Sequence, residues 1–512
     1  MTTISPDSIF ARRSRHQGRM KRAVIWLCAC AIILQPLLLP AQEGVRLPDL
    51  GSSGEILPPD EARSFPNDFR NYMSAQGLLI EDPIIQSYFT EMGFRLVMHS
   101  SGRTQNFHFH VLKVPGINAF AAPAGVVALN AGLILAAESA DEVAGVLAHE
   151  ISHVTQDHLS RGLEEQQRVS LPVMLATLGL VMVGGISGNL DADAVQGILA
   201  TGSGLSQQAR INYTRQNEAE ADRIGIQLLA RAGYDPIGMA DFFSTLNRWA
   251  RSQGAGPPEY LRTHPMTVSR VAEARDRATR YPRQSRDQQD HFDFIRARLQ
   301  VLMAEHTDKA IDYFEQRLQD GTGHEAPNRY GLALALIDAR RSQRAIEHVS
   351  WLLAFDPDEQ LFQILRGEVL LAQNKTAQAL EEFETLHMAY GQSTMIALAY
   401  ADALLKSGDS SDAGEAVTIL RNQLRRNPDD TRITERLAHA ADRAGNPVQA
   451  AEAVATNYYQ RGGLPQAIEQ LQRVLEREDL DYYDRARISA KLDQMRVERM
   501  RSMPEPGQQS RN

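Results

Sequence analysis

The pattern His-Glu-x-x-His within VLAHEISHVT, residues 146–155, constrains the fold of this chain more than any other feature. His149 and His153 are four residues apart, so both side chains lie on one face only if the segment is α-helical. Two imidazoles on one face can bind one metal ion, whereas Glu150, about 100° round the helix, lies beside that ion rather than on it. The pattern therefore predicts a helix that carries a metal centre and a carboxylate base for an attacking water.

The residues around the pattern favour a helix with one apolar face. Asp141 and Glu142 would begin it, because acidic side chains are stabilising in a first turn. The apolar face would consist of Val143, Val146, Leu147 and Ile151. The extended motif of the metzincins requires Gly at position 156 and His at position 159, whereas this chain has Gln156 and Leu159, so that class is excluded. His158 lies about 140° round the helix from the second histidine, and we predict that it is not a ligand.

A second helical segment, NEAEAD at 217–222, offers carboxylates for the same metal. Glu218 and Asp222 are four residues apart and share a face, so one can bind the metal while the other orients a ligand imidazole. Glu220 lies about 200° round the helix from Glu218, and we expect it to point away from the metal.

Four motifs between about Asn118 and Arg270 are shared with a known family: HEISH at 149–153, NEAEAD at 217–222, GYDP at 233–236, and His264-Pro265 with Arg270. On these motifs the chain resembles the gluzincin peptidase family that includes the CAAX prenyl protease and the bacterial heat-shock membrane protease. The resemblance is greatest to the soluble periplasmic branch of that family, in which tetratricopeptide repeats follow the peptidase domain.

That resemblance implies peptide-bond hydrolysis with one Zn²⁺ per chain, held by His149, His153 and Glu218, and with Glu150 as the catalytic base. It also implies that His264 lies near the metal and belongs to the catalytic machinery. There it would either occupy the fourth zinc position as a brake or assist at the transition state. From the residues alone, His264 before a proline is a loop histidine, and both roles stay open.

Alternating residues predict a strand on the amino-terminal side of the metal helix. Phe107, Phe109 and Val111 alternate with His108 and His110, which is the period of a half-buried strand. We therefore expect both histidines to face solvent rather than a metal.

A further strand is predicted from the run VVALN at 126–130, after a turn that begins at Asn118. In zinc proteases an exposed strand near the metal commonly pairs with the substrate backbone, which makes this run our candidate substrate strand. The substrate-binding candidates are Asn118, Val126, Val127, Ala128, Leu129 and Asn130. An ordinary sheet strand without substrate contact is the alternative.

Between the two ligand segments lies a mostly apolar insert at 171–186. Its 16 residues are too few and too rich in glycine for a membrane span. Its position between the ligands places it near the active site, and we treat it as a candidate lid. A buried core helix and a patch that contacts a membrane surface or an unfolded client are the alternatives.

Residues 1–41 have the composition of a secretory signal peptide. Six basic residues within 12–22 precede an apolar run at 23–34, and cleavage is expected after Ala41; an uncleaved membrane anchor is the alternative. Cys28 and Cys30, the only cysteines, lie in this segment, so the mature chain would have no disulfide. Without the segment the chain has 48 basic and 62 acidic residues, which gives no basic surface for nucleic acid.

The second half of the chain is repetitive. Small residues recur at separations of 35, 34, 37 and 34 residues, at Ala310, Ala345, Ala379, Ala416 and Ala450. A period of about 34 residues is typical of tetratricopeptide repeats, in which small residues let paired helices approach. We predict four to five repeats that bind peptides or partner proteins on a concave face; a generic helical bundle is the alternative.

The predicted fold class is α+β, with a mostly helical peptidase domain and a small sheet over 81–279. A Pro- and Gly-rich extended entry segment over 42–80 would precede this domain, and a polar linker at 280–290 would follow it. An α-solenoid of repeats would occupy 291–500, before a polar tail at 501–512.

The predicted function is that of a zinc metalloendopeptidase, to which the resemblance adds a periplasmic location in a Gram-negative bacterium. The implied clients are unfolded or misassembled outer-membrane proteins, and the outer-membrane barrel assembly machinery is the implied partner of the repeats. The alternative function is a latent or non-proteolytic assembly factor that binds clients through its repeats.

Overall fold

The computed structural model describes residues 59–100, 106–158, 215–253, 258–283, 291–428, 430–461, 463–478 and 480–502. The predicted signal peptide at 1–41, the apolar insert at 171–186 and most of the linker and tail lie outside these residues. All described residues belong to one compact unit, Ser53–Asn512. Among them, no helix is both long enough and apolar enough to cross a membrane.

The described residues of the peptidase part contain a three-stranded sheet. Its strands are β1 (His108–Leu112), β2 (Ala119–Ala122) and β3 (Val126–Asn130), in the spatial order β1-β3-β2. β3 is parallel to β1 and antiparallel to β2. Every residue of β3 is buried, as expected for an unbroken apolar run that is covered on both faces.

The prediction that residues 126–130 pair with substrate is wrong. β3 has a partner strand on each side, so its backbone N–H and C=O groups are already used within the sheet. A strand can accept a further strand only at a free edge, and β1 and β2 are the two edge strands of the sheet. The outer side of β1 is bridged by Leu79 at Leu112, so among the described residues β2 is the strand whose outer edge has no partner strand.

β1 differs from its prediction on one face. Phe109 and Val111 are buried as expected, but His110 is half-buried rather than fully exposed. Its ring packs on Phe69 with 5.6 Å between centroids, and its Nε2 atom is buried without a hydrogen-bond partner among the described residues. Burial, followed by the charge of neighbouring His108, lowers the pKa of His110 to about 3, so its ring is neutral.

Helix α1 (Pro59–Ala75) corrects part of the extended segment predicted over 42–80. Phe65, Phe69 and Met73 are spaced four residues apart, and all three are fully buried in a cluster with residues of the sheet. That spacing is the apolar period of a helix, and it lies among prolines and charges that favour a loop by composition. The remainder of the predicted segment, up to residue 58, lies outside the described residues.

Seven further helices complete the described peptidase part. They are α2 (Pro83–Val97), α3 (Ala131–Ala136), α4 (Ala140–Thr155), α5 (Arg215–Ala232), α6 (Ile237–Gln253), α7 (Glu259–Thr263) and α8 (Val268–Ala278). α2 begins as predicted, because the Asp82 carboxylate accepts the backbone N–H groups of Ile84 and Ile85 at 3.0 Å.

The metal-binding pattern lies on α4, which is buried from Ala140 to His153 apart from Asp141. The Ser139 hydroxyl caps its start by accepting the N–H of Glu142 at 3.3 Å. α5 and α6 pack against it. α6 approaches closely at Gly145, where an added Cβ would lie 2.8 Å from the Cα atom of Met239.

Gly145→Ala is expected to lower the free energy of unfolding by about 1–3 kcal/mol, because the new methyl group meets the backbone of α6. Gly414→Ala is the matched control: no atom lies within 4 Å of a Cβ there, and alanine restricts the unfolded chain, so a gain of about 0.4–1 kcal/mol is expected. Denaturant unfolding measures both values. Equal effects of the two substitutions would contradict this account of α4–α6 packing.

Twelve helices follow from Phe292 to Ser502 in the described part of the chain. They are α9 (Phe292–Met303), α10 (Thr307–Gln319), α11 (Glu325–Asp338), α12 (Ser342–Phe355), α13 (Gln360–Ala372), α14 (Thr376–Ala389), α15 (Thr394–Ser407), α16 (Ser410–Arg426), α17 (Thr431–Arg443), α18 (Pro447–Gln460), α19 (Leu464–Leu475) and α20 (Tyr482–Ser502). Successive helices pack against one another, as in a solenoid.

The small residues predicted at the helix crossings of the solenoid are buried, among them Ala345, Ala379 and Ala416 with no exposed surface. Gly367 lies under the ring of Phe383, where an added Cβ would be 2.5 Å from ring atoms. Helix pairs of about 34 residues with small crossing residues confirm the predicted helical repeats.

The repeats pack directly on the peptidase part through α9. The Arg298 guanidinium donates from Nε to the Asp82 carboxylate at 2.7 Å and also contacts Glu368 on α13 at 3.2 Å. Arg296 donates to the Ala137 carbonyl at 2.8 Å. Asp82 thus both caps α2 and binds the repeats.

Candidate active site

Four buried donor groups converge from three places in the fold. His149 and His153 come from α4, Glu218 comes from the first turn of α5, and His264 follows α7. One ligand atom from each lies within 4.8 Å of the others, and no residue of the four is more than 1% exposed. The structure therefore brings together the three predicted ligands and the predicted neighbour His264.

The spacing of these donors fits a zinc ion. Donor atoms around a tetrahedral zinc with bonds of about 2.0–2.1 Å lie about 3.3 Å apart. The Nε2 atoms of His149 and His153 are 2.9 Å apart, and each lies 3.4–3.5 Å from an oxygen of Glu218. Imidazole nitrogens with one carboxylate oxygen are also the donor types that zinc prefers.

Asp222 and Arg270 contact two of the four donor residues, His149 and Glu218. An Asp222 oxygen lies 3.0 Å from Nδ1 of His149, the ring nitrogen that faces away from the other donors. Arg270 donates two hydrogen bonds to the Asp222 carboxylate, at 2.8 and 2.9 Å, and its third nitrogen lies 2.8 Å from Glu218. The predicted contact of Asp222 with a ligand imidazole is therefore present.

The charges of the donors are strongly coupled. Burial opposes protonation of His149, but contacts with Asp222 and Glu218 raise its pKa to about 10. Burial alone would raise the pKa of Glu218, but His264, His149 and His153 hold it well below its usual range. The carboxylates thus favour a proton on His149, and binding of a metal ion by this imidazole would release it.

Comparison with known proteins identifies the class of this site. The model of peptidase family M48 matches residues 84–278, and a tetratricopeptide repeat model matches 330–393. The beta-barrel assembly-enhancing protease of Escherichia coli is 32% identical over 94% of this chain and 98% of its own length. The chain belongs to peptidase family M48.

Other relatives divide into full-length and partial matches. The beta-barrel assembly-enhancing protease of Yersinia pestis is 33% identical over 90% of this chain and 93% of its own length. The mitochondrial metalloendopeptidase OMA1 of Bos taurus is 33% identical, but over 32% of this chain and 31% of its own length. As a member of family M48, this chain is a zinc-dependent metalloendopeptidase, as predicted, and tetratricopeptide repeats follow its peptidase domain.

Glu150 lies beside the donors without being one of them. It is fully buried, and neither carboxylate oxygen has a hydrogen-bond partner of good geometry among the described residues. Burial raises the pKa of Glu150, although the charges of His264 and His149 oppose this rise. A buried carboxylate with a raised pKa is suited to take up and release a proton.

The free edge of β2 runs past this carboxylate. The N–H of Asn130 donates to the carbonyl of Asn118 at 3.0 Å, and bonded pairs alternate along an antiparallel ladder. The backbone groups of Ala119 and Ala121 therefore point away from β3. The Ala121 backbone is close enough to Glu150 to lower the pKa of its carboxyl.

Three residues make contacts near the site that were not predicted from the sequence. His158 and Glu220 are not among the four donors that converge, but both contact the site indirectly: His158 lies 2.9 Å from His153 and 3.3 Å from Glu220. Tyr260 packs on His264 with 4.8 Å between ring centroids, and its buried hydroxyl has no hydrogen-bond partner among the described residues. No sequence spacing indicated these contacts, because they depend on how separate elements pack.

Asp222→Asn is expected to weaken zinc binding about 10–100-fold, because His149 loses its carboxylate partner. It is also expected to lower the free energy of unfolding by about 3–5 kcal/mol, since Arg270 would keep a buried charge without this carboxylate. Asp241→Asn is the control: its pair with Arg275 is half-exposed at 3.4 Å, and little change is expected. Chelator competition and denaturant unfolding measure the effects, and similar results for both variants would contradict the assigned support.

Proposed function

We propose that this chain is a periplasmic zinc endopeptidase that removes misassembled outer-membrane proteins. In this proposal His149, His153 and Glu218 hold the zinc ion, and Glu150 is the base. The observation that carries the proposal is the buried donor set with the buried carboxylate of Glu150 beside it, which has no hydrogen-bond partner of good geometry in the described part of the chain. The two full-length relatives named for beta-barrel assembly support the choice of client.

The chemistry of peptide hydrolysis follows from the groups around Glu150. Zinc, when bound, supplies a Lewis acid that polarises the peptide carbonyl and makes water more acidic. Glu150 removes a proton from the attacking water and then delivers it to the leaving amine, so that one carboxylate is base and acid in turn. Its burial keeps the proton from exchanging with bulk solvent during this transfer.

In the same proposal, β2 positions the substrate in place of the strand at 126–130. An extended peptide that pairs with the free edge of β2 would run along Ala119 and Ala121, next to Glu150. Main-chain pairing accepts many sequences, which suits clients that share an unfolded state rather than a cleavage motif.

Peptides with one N-methylated amide test this pairing. Where the native amide donates to β2, methylation should lower kcat/KM about three- to tenfold, since one hydrogen bond is lost. The amide of the next residue of the peptide points away from β2. Methylation of that amide is the control, and we expect it to have little effect on kcat/KM. A scan along the peptide should therefore alternate with a period of two. A uniform or absent effect would contradict edge pairing.

The proposed location and domain plan depend on segments outside the described residues. The signal peptide at 1–41 would direct the chain to the periplasm, and the insert at 171–186 would cover the cleft or contact client or membrane. The repeats over 291–500 would bind the client or the outer-membrane assembly machinery. No nucleic acid is part of this proposal, since the mature chain is strongly acidic.

The client class is tested by competition. Equal amounts of an unfolded outer-membrane β-barrel protein and an unfolded soluble protein of similar length are mixed with the zinc-loaded protein. We expect the β-barrel protein to disappear first and a chelator to stop its cleavage. Equal rates for both proteins would overturn the proposed client class while leaving the peptidase assignment intact.

A latent or non-proteolytic assembly factor is the second candidate function. The observation in its favour is that His264 completes a set of four donors, which leaves no vacant position in a tetrahedral site. Complementation of a deletion strain with Glu150→Gln separates the two functions. Full rescue would make client binding the main role, whereas failure to rescue would assign the role to proteolysis.

A further inference from the structure

We propose that His158 and Glu220 form a hydrogen-bonded relay that holds His153 in the orientation and tautomer required for zinc binding. The proposal rests on the role of His153 as a zinc ligand. It makes His158 and Glu220 positioning residues, which act on the metal only through His153.

The contacts of His158 carry the proposal. Its Nδ1 atom lies 2.9 Å from Nδ1 of His153, and its Nε2 atom lies 3.3 Å from an oxygen of Glu220. The His158 side chain is fully buried, whereas Glu220 is about one-third exposed and also lies 3.6 Å from Arg223. A buried polar ring thus connects a zinc-binding imidazole to a carboxylate at the surface.

The protons of this relay can be assigned without conflict. His153 turns Nε2 to the other donors, so that nitrogen must offer its lone pair to a metal and the proton must lie on Nδ1. The Nδ1–H of His153 then donates to Nδ1 of His158. His158 consequently carries its own proton on Nε2 and donates it to Glu220. Each nitrogen has one role, and reversing either tautomer would place two donors or two acceptors face to face.

The backbone after α4 creates this contact. On a continued helix, His158 would lie about 140° round from His153 and could not reach it. The helix instead ends at Thr155, and Asp157 adopts a left-handed conformation with φ of 52°. Such a conformation costs a non-glycine residue about 1–2 kcal/mol. The chain turns back at this point, and His158 lies against the ring of His153 with 4.9 Å between centroids.

The relay gives the two ligand histidines equivalent support. Nδ1 of His149 contacts the carboxylate of Asp222 directly, at 3.0 Å. Nδ1 of His153 contacts His158, and His158 connects it to the carboxylate of Glu220. Both carboxylates come from the helix that carries Glu218. Helix α5 would thus supply one zinc ligand and fix the rings of the other two.

Zinc affinity is the primary test, measured by competition with a chromophoric chelator on the full-length protein. His158→Phe keeps a flat buried ring without an acceptor, and a 10–100-fold loss of zinc affinity is expected. His158→Asn places an amide oxygen near the former Nδ1 position and is expected to recover most of that loss. Glu273→Gln on the exposed side of α8 is the charge control and is expected to bind zinc normally.

A double-mutant cycle separates a relay from general loss of packing. Glu220→Gln alone should weaken zinc binding several-fold, but it should add nothing in a His158→Phe background, because its effect passes through His158. The absorption spectrum of the Co²⁺-substituted protein should also change in His158→Phe, as the ring of His153 reorients. Wild-type zinc affinity and an unchanged Co²⁺ spectrum in His158→Phe would overturn the relay. If that variant does not fold, wild-type affinity of Glu220→Gln would overturn it.

His153→Ala distinguishes failure of the relay from failure of the proposed zinc site. Loss of zinc in His153→Ala together with normal affinity in His158→Phe would remove only the relay. Normal zinc binding by His153→Ala would show that the proposed ligand set is wrong, and it would also refute the relay, because the relay acts through His153.

Discussion

Glu150→Gln is expected to keep one zinc ion per chain while lowering kcat about 10²–10⁴-fold. Glutamine has the same shape but cannot take up a proton from water. Zinc should remain because Glu150 is not one of the four donors that lie together. Cleavage of an unfolded β-barrel protein and elemental analysis of the same sample measure both quantities.

Stability provides a control on this result. Burial raises the pKa of Glu150, so the folded protein disfavours its charged form, and removing that charge should not lower the free energy of unfolding. A loss of activity in a variant at least as stable as the wild type would therefore come from chemistry rather than unfolding. Cleavage within tenfold of the wild-type rate would contradict the assignment of Glu150 as base.

Residues whose positions follow from helical spacing could be placed from the sequence. His149 and His153 share a face of α4, and Glu218 and Asp222 share a face of α5, because positions four apart on a helix always do. The convergence of the two helices did not follow from spacing. The expectation that α4 and α5 meet came from the resemblance to a family. In the structure the Nε2 atoms of His149 and His153 lie 3.4–3.5 Å from the Glu218 carboxylate, and these contacts are buried.

The substrate strand could not be chosen in this way. The run at 126–130 has the stronger strand pattern, but that pattern reflects burial on both faces rather than access to substrate. The short run at 119–122 has a free edge because of its position in the sheet order, and sheet order is not a property of any single segment. The same holds for α1. Its three buried residues form a helix face that packs on the sheet, and this packing is not visible in the sequence of the segment alone.

His158 shows a third kind of limit. Its angle of about 140° from His153 was derived on the assumption that α4 continues, and no glycine marks the end of that helix. The left-handed conformation of Asp157 reverses the chain within two residues. Such a conformation in a residue other than glycine persists only where surrounding packing fixes it, so a local pattern cannot reveal it.

We propose that His264 acts as a brake on this enzyme, the first of the two roles left open for it. Its Nδ1 atom lies 3.1 Å from Glu218 and 3.3 Å from Nε2 of His149, which is the position of a fourth donor. Its Nε2 atom lies 3.5 Å from Glu150. The ring thus stands between the base and the other donors, where the attacking water must be placed. A catalytic zinc site keeps that position open, and a closed set of four donors is typical of structural sites.

His264→Ala is therefore expected to raise kcat/KM on a peptide substrate at least about tenfold, a gain equivalent to about 1.4 kcal/mol. Zinc content should remain at one ion per chain, although affinity should fall with the loss of a donor. His439→Ala, an exposed histidine on α17, is the control and should leave the rate unchanged. In His264→Ala combined with Glu150→Gln, the gain should disappear, which shows that the released activity uses the same base. Loss of activity in His264→Ala would instead assign His264 to transition-state stabilisation, because a group that only blocks water cannot slow the reaction by its removal.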